Sequence, residues 1–140
     1  VAPRPPPPIT NLYDAAKQGD AEAATRYLDE GADINAKNDK GVTALGIAVG
    51  FNRKDVVALL VARGADIGMK DAKGNTVLHY AAGYGRKEVC EMLVAAGADL
   101  DVQNDAKQTP LDAAKMNKEK ALVDTLKAAW KQASKSKAVA

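Results

Sequence analysis

A chain of 140 residues is long enough for one domain with a buried core or for a short array of repeats. Its net charge of +2, made of interspersed charges of both signs, argues against a dedicated nucleic-acid binder, which shows a dense basic face. One cysteine closes no internal disulfide, which points to a reducing intracellular compartment, and no apolar run approaches the ~20 residues that span a bilayer.

The chain opens on Val1 without Met and without a signal-peptide pattern, and reads as a processed or excised fragment. Residues 1–8 hold five of the six prolines, a run that favours extended polyproline II and cannot pack. A linker explains it better than an SH3-type ligand, since a single PxxP is a weak signal. After that the chain falls into columns that recur every 33 residues. Thr43, Thr76 and Thr109 are in register, as are Leu45, Leu78 and Leu111, and Ala48, Ala81 and Ala114. The triplets Gly31-Ala32-Asp33, Gly64-Ala65-Asp66 and Gly97-Ala98-Asp99 keep the same interval. The period and the Thr-Pro-Leu-His-like opening resemble ankyrin repeats, which predicts an all-α repeat solenoid with β-hairpin loops. About four repeats are expected, two of them caps, at 9–37, 38–70, 71–104 and 105–133, with a disordered tail at 134–140.

In the first repeat, 11–16 predicts a short helix, Gly19-Asp20 a turn, and Asp20 an N-cap for a second helix over 21–30 ended by Gly31. Polar residues on its outside mark it as a cap. In the second, Lys40-Gly41 forms the hairpin tip, Thr43 caps one helix, and 54–63 forms another. That helix carries Val56, Val57, Leu59, Leu60 and Val61, too broad an apolar set for an exposed helix, so it is expected to pack on both neighbours. Ala44 and Gly46 stand where the repeat usually has Pro and His. The third repeat is the best formed: Lys73-Gly74 turns the hairpin, Thr76 caps a helix, and Val77 replaces the customary Pro. The fourth opens with Thr109-Pro110, and proline at a first helical position loses no hydrogen bond. Its second helix, expected over 119–131, exposes Lys120, Asp124, Lys127 and Lys131 and closes the stack, with Trp130 expected to fold over the last turn of the core.

Catalysis finds little footing. His79, the sole histidine, sits where ankyrin repeats bond neighbouring loops, and Cys90 shares an apolar column with Ala24, Val57 and Val123. No Cys/His cluster has metal-ligand spacing, so no cofactor or metal is expected. Binding is the remaining class. Lys40, Lys73 and Lys107, with Lys37 and Lys70, lie on or near successive hairpin tips; they form either a basic edge for a partner or ordinary solvated lysines offset by Asp39, Asp71 and Asp105. A second group lies where one helix of a repeat turns into the next: Phe51 with Arg53, and Tyr84 with Arg86. The 33-residue offset is expected to bring ring beside ring and arginine beside arginine, a pairing suited to an anionic or polar head group with an apolar portion. Tyr80 extends that surface from one turn before Tyr84.

The stretches LHYAAGYGRKE (78–88) and VQNDAKQTPLDAAKMN (102–117) resemble the ankyrin domain of a plant and algal family of targeting factors for chloroplast outer-envelope proteins. The resemblance runs from about residue 42 to 127. It implies a non-enzymatic, chaperone-like sorting factor, cytosolic at the chloroplast envelope or within the stroma, that handles a client protein. It further implies recognition of galactolipid and phosphatidylglycerol head groups, with Tyr84 and Arg86 at the matching turn. The family's histidine of the first repeat is replaced by Tyr13, and Ala36 stands where an acidic residue is expected. The alternative is a generic protein–protein adaptor within a larger protein or complex; a structural spacer inside a larger enzyme or channel is a third.

Overall fold

The computed structural model describes residues 8–116, 118 and 120–139, with side chains to Gln132; apart from Pro8, the proline-rich segment expected at 1–8 lies outside the described residues. Eight helices follow one another among them: α1 (Leu12–Gln18), α2 (Ala21–Asp29), α3 (Ala44–Gly50), α4 (Lys54–Ala62), α5 (Val77–Gly83), α6 (Lys87–Ala95), α7 (Pro110–Met116) and α8 (Lys120–Val139). They pair as α1–α2, α3–α4, α5–α6 and α7–α8, and the hairpins stack in chain order. The odd-numbered helices pack on one another as an inner row, the even-numbered ones as an outer row.

Local chemistry starts each helix where the pattern expects it. Asn11, Asp20 and Thr43 accept from the backbone N–H three residues on, which satisfies one of the donors a helix start leaves unpaired. Thr76 does the same for α5, and the ring of His79 accepts in return from the Thr76 N–H. Thr109 and Asp112 close an equivalent reciprocal pair before α7. After α2, α4 and α6 the chain passes through Gly31, Gly64 and Gly97, all at positive φ, which lets the following N–H groups turn back onto the helix end.

The core runs the length of the stack. Inner helices contribute small residues, Ala15, Ala16, Ala48, Ala81, Ala82 and Ala114, all sealed from solvent, so that neighbouring helices approach closely. Outer helices fill the space behind them with Val56, Val57, Leu60, Val89, Cys90 and Leu93. Helix α4 packs on both α2 and α6, as its wide apolar set requires; Leu59 and Val61 are the partly buried members. Between hairpins, Asn38, Asp71 and Asn104 each accept from the N–H groups two and four residues on, which sets tight turns in place of paired strands. One isolated antiparallel bridge, between Lys37 and Thr43, is the extent of β pairing among the described residues.

The end of the chain differs from expectation. Helix α8 does not stop near 131; it continues through 134–139, where a disordered tail was expected, and Ala140 lies outside the described residues. From Lys120 to Val139 there is no glycine or proline, and Ala, Lys and Gln favour helix, so nothing in the local sequence ends it.

Candidate interaction surface

The inner helices α3 and α5 are each followed directly by an exposed ring. Phe51 caps the C-terminus of α3 and is 50% exposed; Tyr84 caps α5 and is 56% exposed. Tyr80, one turn back on α5, lies parallel to Tyr84 at 12° with ring centroids 6.3 Å apart. Alongside, a cavity of about 220 Å³ opens between the third and fourth hairpins. Tyr80 and Tyr84 form one wall, and the amides of Asn75, Asn104 and Gln108 with His79 form another. Those amides are joined: Asn104 Nδ2 donates to Asn75 Oδ1 at 2.8 Å and to Gln108 Oε1 at 3.2 Å. Past it, Met116 is 68% exposed and its sulfur accepts from the Gln108 side chain. Aromatic faces beside oriented amides make a surface that offers apolar area and hydrogen bonds together.

The arginines do something other than expected. Each reaches back one repeat to the carbonyl end of an inner helix. Arg53 Nε donates to the Lys17 carbonyl at 2.9 Å, and Arg86 Nη2 donates to the Gly50 carbonyl at 3.2 Å. Carbonyls at a helix C-terminus lack helical partners and carry partial negative charge, so a guanidinium there ties one repeat to the next. Arg86 Nε is buried with no hydrogen-bond partner among the described residues. The guanidinium also sits 5.8 Å from the centre of the Tyr84 ring, a cation–π distance. Phe51 receives its cation from the preceding repeat, with Lys17 Nζ 5.6 Å from its centre. Tyr84 accordingly stacks on Tyr80 and Arg86, while Phe51 keeps company with Lys17 and Arg53 with the first hairpin. Tyr13 stays half-buried against the core from α1.

On the hairpin tips, Lys40, Lys73 and Lys107 are exposed. Lys37 and Lys70 are not part of that edge, because each crosses to the next hairpin. Lys37 Nζ donates to the Lys70 carbonyl at 2.8 Å, and Lys70 Nζ to the Gln103 carbonyl at 3.4 Å. Lys107 differs from the other two in backbone as well: it occupies the column of Gly41 and Gly74 and adopts φ 64°. The offset of 33 between Lys37 and Lys70 was visible in the sequence, as was the Asx column 38/71/104. Neither revealed that the side chains bridge hairpins.

His79 and Cys90 are both occupied by the fold. His79 Nδ1 accepts from the Thr76 N–H, so Nε2 carries the proton and donates to the Gln108 carbonyl at 2.8 Å. Cys90 is buried, and burial pushes its thiol up to about 12, with the neighbouring Glu91 charge adding to the shift. A thiol in that state is a poor nucleophile at neutral pH. Among the described residues no group of three or more His, Cys, Asp or Glu is placed to hold a metal, and no helix is long and apolar enough to cross a membrane.

A family model described as ankyrin repeats (3 copies) matches residues 12–104 and 47–136. No curated protein matches the chain.

Proposed function

The chain belongs to the ankyrin-repeat family, a binding scaffold for protein partners, and from that premise we propose that its partner docks on the inner-helix face around Tyr80 and Tyr84. The observation that carries this reading is the exposed Phe51–Tyr84–Met116 series beside an amide-lined cavity of about 220 Å³. Tyrosine and phenylalanine anchors carry a large share of interface energy because they bury much area at low entropic cost. Asn75, Asn104 and Gln108 would give direction to a partner's backbone groups. Lys40, Lys73 and Lys107 extend the rim along the tips and favour a partner with acidic residues there.

The test is a photo-cross-linker placed at Tyr84, with a second at the outer-helix residue Glu91 as control. A partner cross-linked at Tyr84 and not at Glu91, whose binding to the chain without a cross-linker is lost with Phe51→Ala/Tyr84→Ala, supports the surface. Binding that survives that double substitution places the partner elsewhere and overturns it.

A narrower reading follows from the resemblance to chloroplast envelope targeting factors: a plastid sorting factor that takes galactolipid or phosphatidylglycerol head groups on Tyr84 and Arg86. The cation held over an exposed ring favours it. The hydrogen bond from Arg86 to Gly50 works against it, since a head group would compete with the tie between repeats. Flotation with vesicles containing these lipids decides: binding that Tyr84→Ala abolishes supports lipid recognition, and no flotation refutes it.

A further inference from the structure

At the far end of the stack lies an apolar hollow of about 300 Å³, separate from the aromatic face. Its walls are Leu100, Thr109, Leu111 and Leu126. Trp130 stands over the opening, 45% exposed, with its indole N–H donating to an Asp101 carboxylate oxygen. Lys127 and Lys131 complete the rim.

The internal repeat tells what belongs there. One period earlier, the same wall is Ile67, Thr76, Leu78 and Leu93; its last three members are buried. After α6 the chain turns at Gly97 and returns as Ala98-Asp99-Leu100, whose Ala98 and Leu100 pack against the core. After α4, Ala65-Asp66-Ile67 does the same. In the last repeat those columns, 131–133, lie inside α8, which runs straight on to Val139. Among the described residues no returning segment fills the place, and Thr109 and Leu111 are only half-buried where Thr76 and Leu78 are sealed.

We propose that this hollow is a docking socket for a segment of a partner protein in which an aliphatic side chain directly follows an acidic one. The aliphatic side chain takes the place that Leu100 and Ile67 take in the preceding repeats. The volume is ample for it, being about twice that of an apolar cavity that holds benzene. The rim supplies charge selection. Lys127 and Lys131 occupy columns that hold Val94 and Ala98 one repeat earlier, so two positive charges appear only here. Neither is paired with a carboxylate among the described residues, and Asp101 is engaged by the indole. An incoming aspartate or glutamate meets these lysines as its neighbour enters the hollow. The socket is independent of the aromatic face, so failure of one leaves the other standing.

Trp130 is the chain's only tryptophan, so its fluorescence reads this site alone. The probe is a free, end-capped peptide of residues 95–103, AAGADLDVQ, titrated into the intact chain. Expected is a saturable blue shift, weakened at least tenfold when the peptide carries Leu100→Ala. Lys127→Glu/Lys131→Glu in the protein should weaken binding severalfold, its urea midpoint staying near wild type because both lysines are exposed. Rising salt should weaken peptide binding to the unmodified chain in the same direction, a check that needs no variant. Absence of a saturable shift, or equal affinity for the Leu100→Ala peptide, overturns the proposal. So does a shift driven by decanoate but not by the peptide, which makes the hollow a small-molecule site. A shift on raising protein concentration alone, which makes it a self-association surface, overturns it too.

Discussion

Replacing Gly74 by alanine separates the strain of one residue from the contact between two hairpins, and Gly97→Ala is its internal control. Both glycines have positive φ, +78° and +96°. A left-handed alanine costs about 1–2 kcal/mol, less the ~0.4–1 kcal/mol gained by stiffening the unfolded chain. At Gly97 that is the whole effect, because an added Cβ meets nothing within 4 Å. At Gly74 the Cβ would lie 2.7 Å from Asp105 Oδ1 and 2.9 Å from the Asp105 backbone nitrogen. The carboxylate can swing aside. The nitrogen cannot move freely, since its N–H donates to the Lys73 carbonyl at 3.0 Å and holds the third hairpin against the fourth. Displacing it costs about 1–3 kcal/mol as overpacking, and loss of the hydrogen bond falls within the same range. Gly74→Ala should therefore exceed Gly97→Ala by about 1–3 kcal/mol. Urea unfolding followed by circular dichroism measures both, read from midpoints at equal slope. Two variants within ~0.5 kcal/mol of each other would refute the close approach of these hairpins.

Lys107 runs the same logic in reverse: at φ 64° in a glycine column, Lys107→Gly should stabilise the chain by up to about 1 kcal/mol, raising the urea midpoint. Leu78→Ala should cost about 2–5 kcal/mol, since Leu78 is 1% exposed where hairpins meet; a midpoint that barely moves would contradict its burial. Cys90 should resist thiol reagents under native conditions at pH 8 and react only as the chain opens, so its labelling rate should follow denaturant concentration. Its folded thiol titrates near 12 against 9.0 unfolded, so the unfolded chain loses this proton first. The Cys90 contribution to stability is whole below pH 9 and falls away as pH rises toward 12, and Cys90→Val should flatten that part of the profile.

Much of the scaffold could be read before any coordinates. Thr43, Thr76 and Thr109 mark helix starts because a threonine hydroxyl reaches an unpaired N–H from that one position, and the structure uses all three so. Gly31, Gly64 and Gly97 mark helix ends for an equally local reason. The surface was less legible. Arg53 and Arg86 look like ligands-in-waiting beside their aromatic neighbours, yet a side chain that long can answer a carbonyl in the previous repeat, and both do. Lys37 and Lys70 were drawn away from the tips in the same manner. The cluster of Asn75, Asn104 and Gln108 escaped notice because Asn104 belongs to a different column from the other two, and its members meet only when consecutive hairpins are stacked.

The amino-acid order alone determined the repeat length, the hairpin unit and the side of each helix that is buried. Those follow from interactions within a few residues or from one hairpin repeating against the next. Which long side chains remain free to meet a partner was decided by tertiary structure, because arginine and lysine reach across a whole repeat and bond whichever unpaired carbonyl the stack presents. The socket beneath Trp130 was decided there too. It exists because α8 keeps its helix through the columns where every earlier repeat turns back, and a gap of that kind is visible only against the loops that fill it elsewhere.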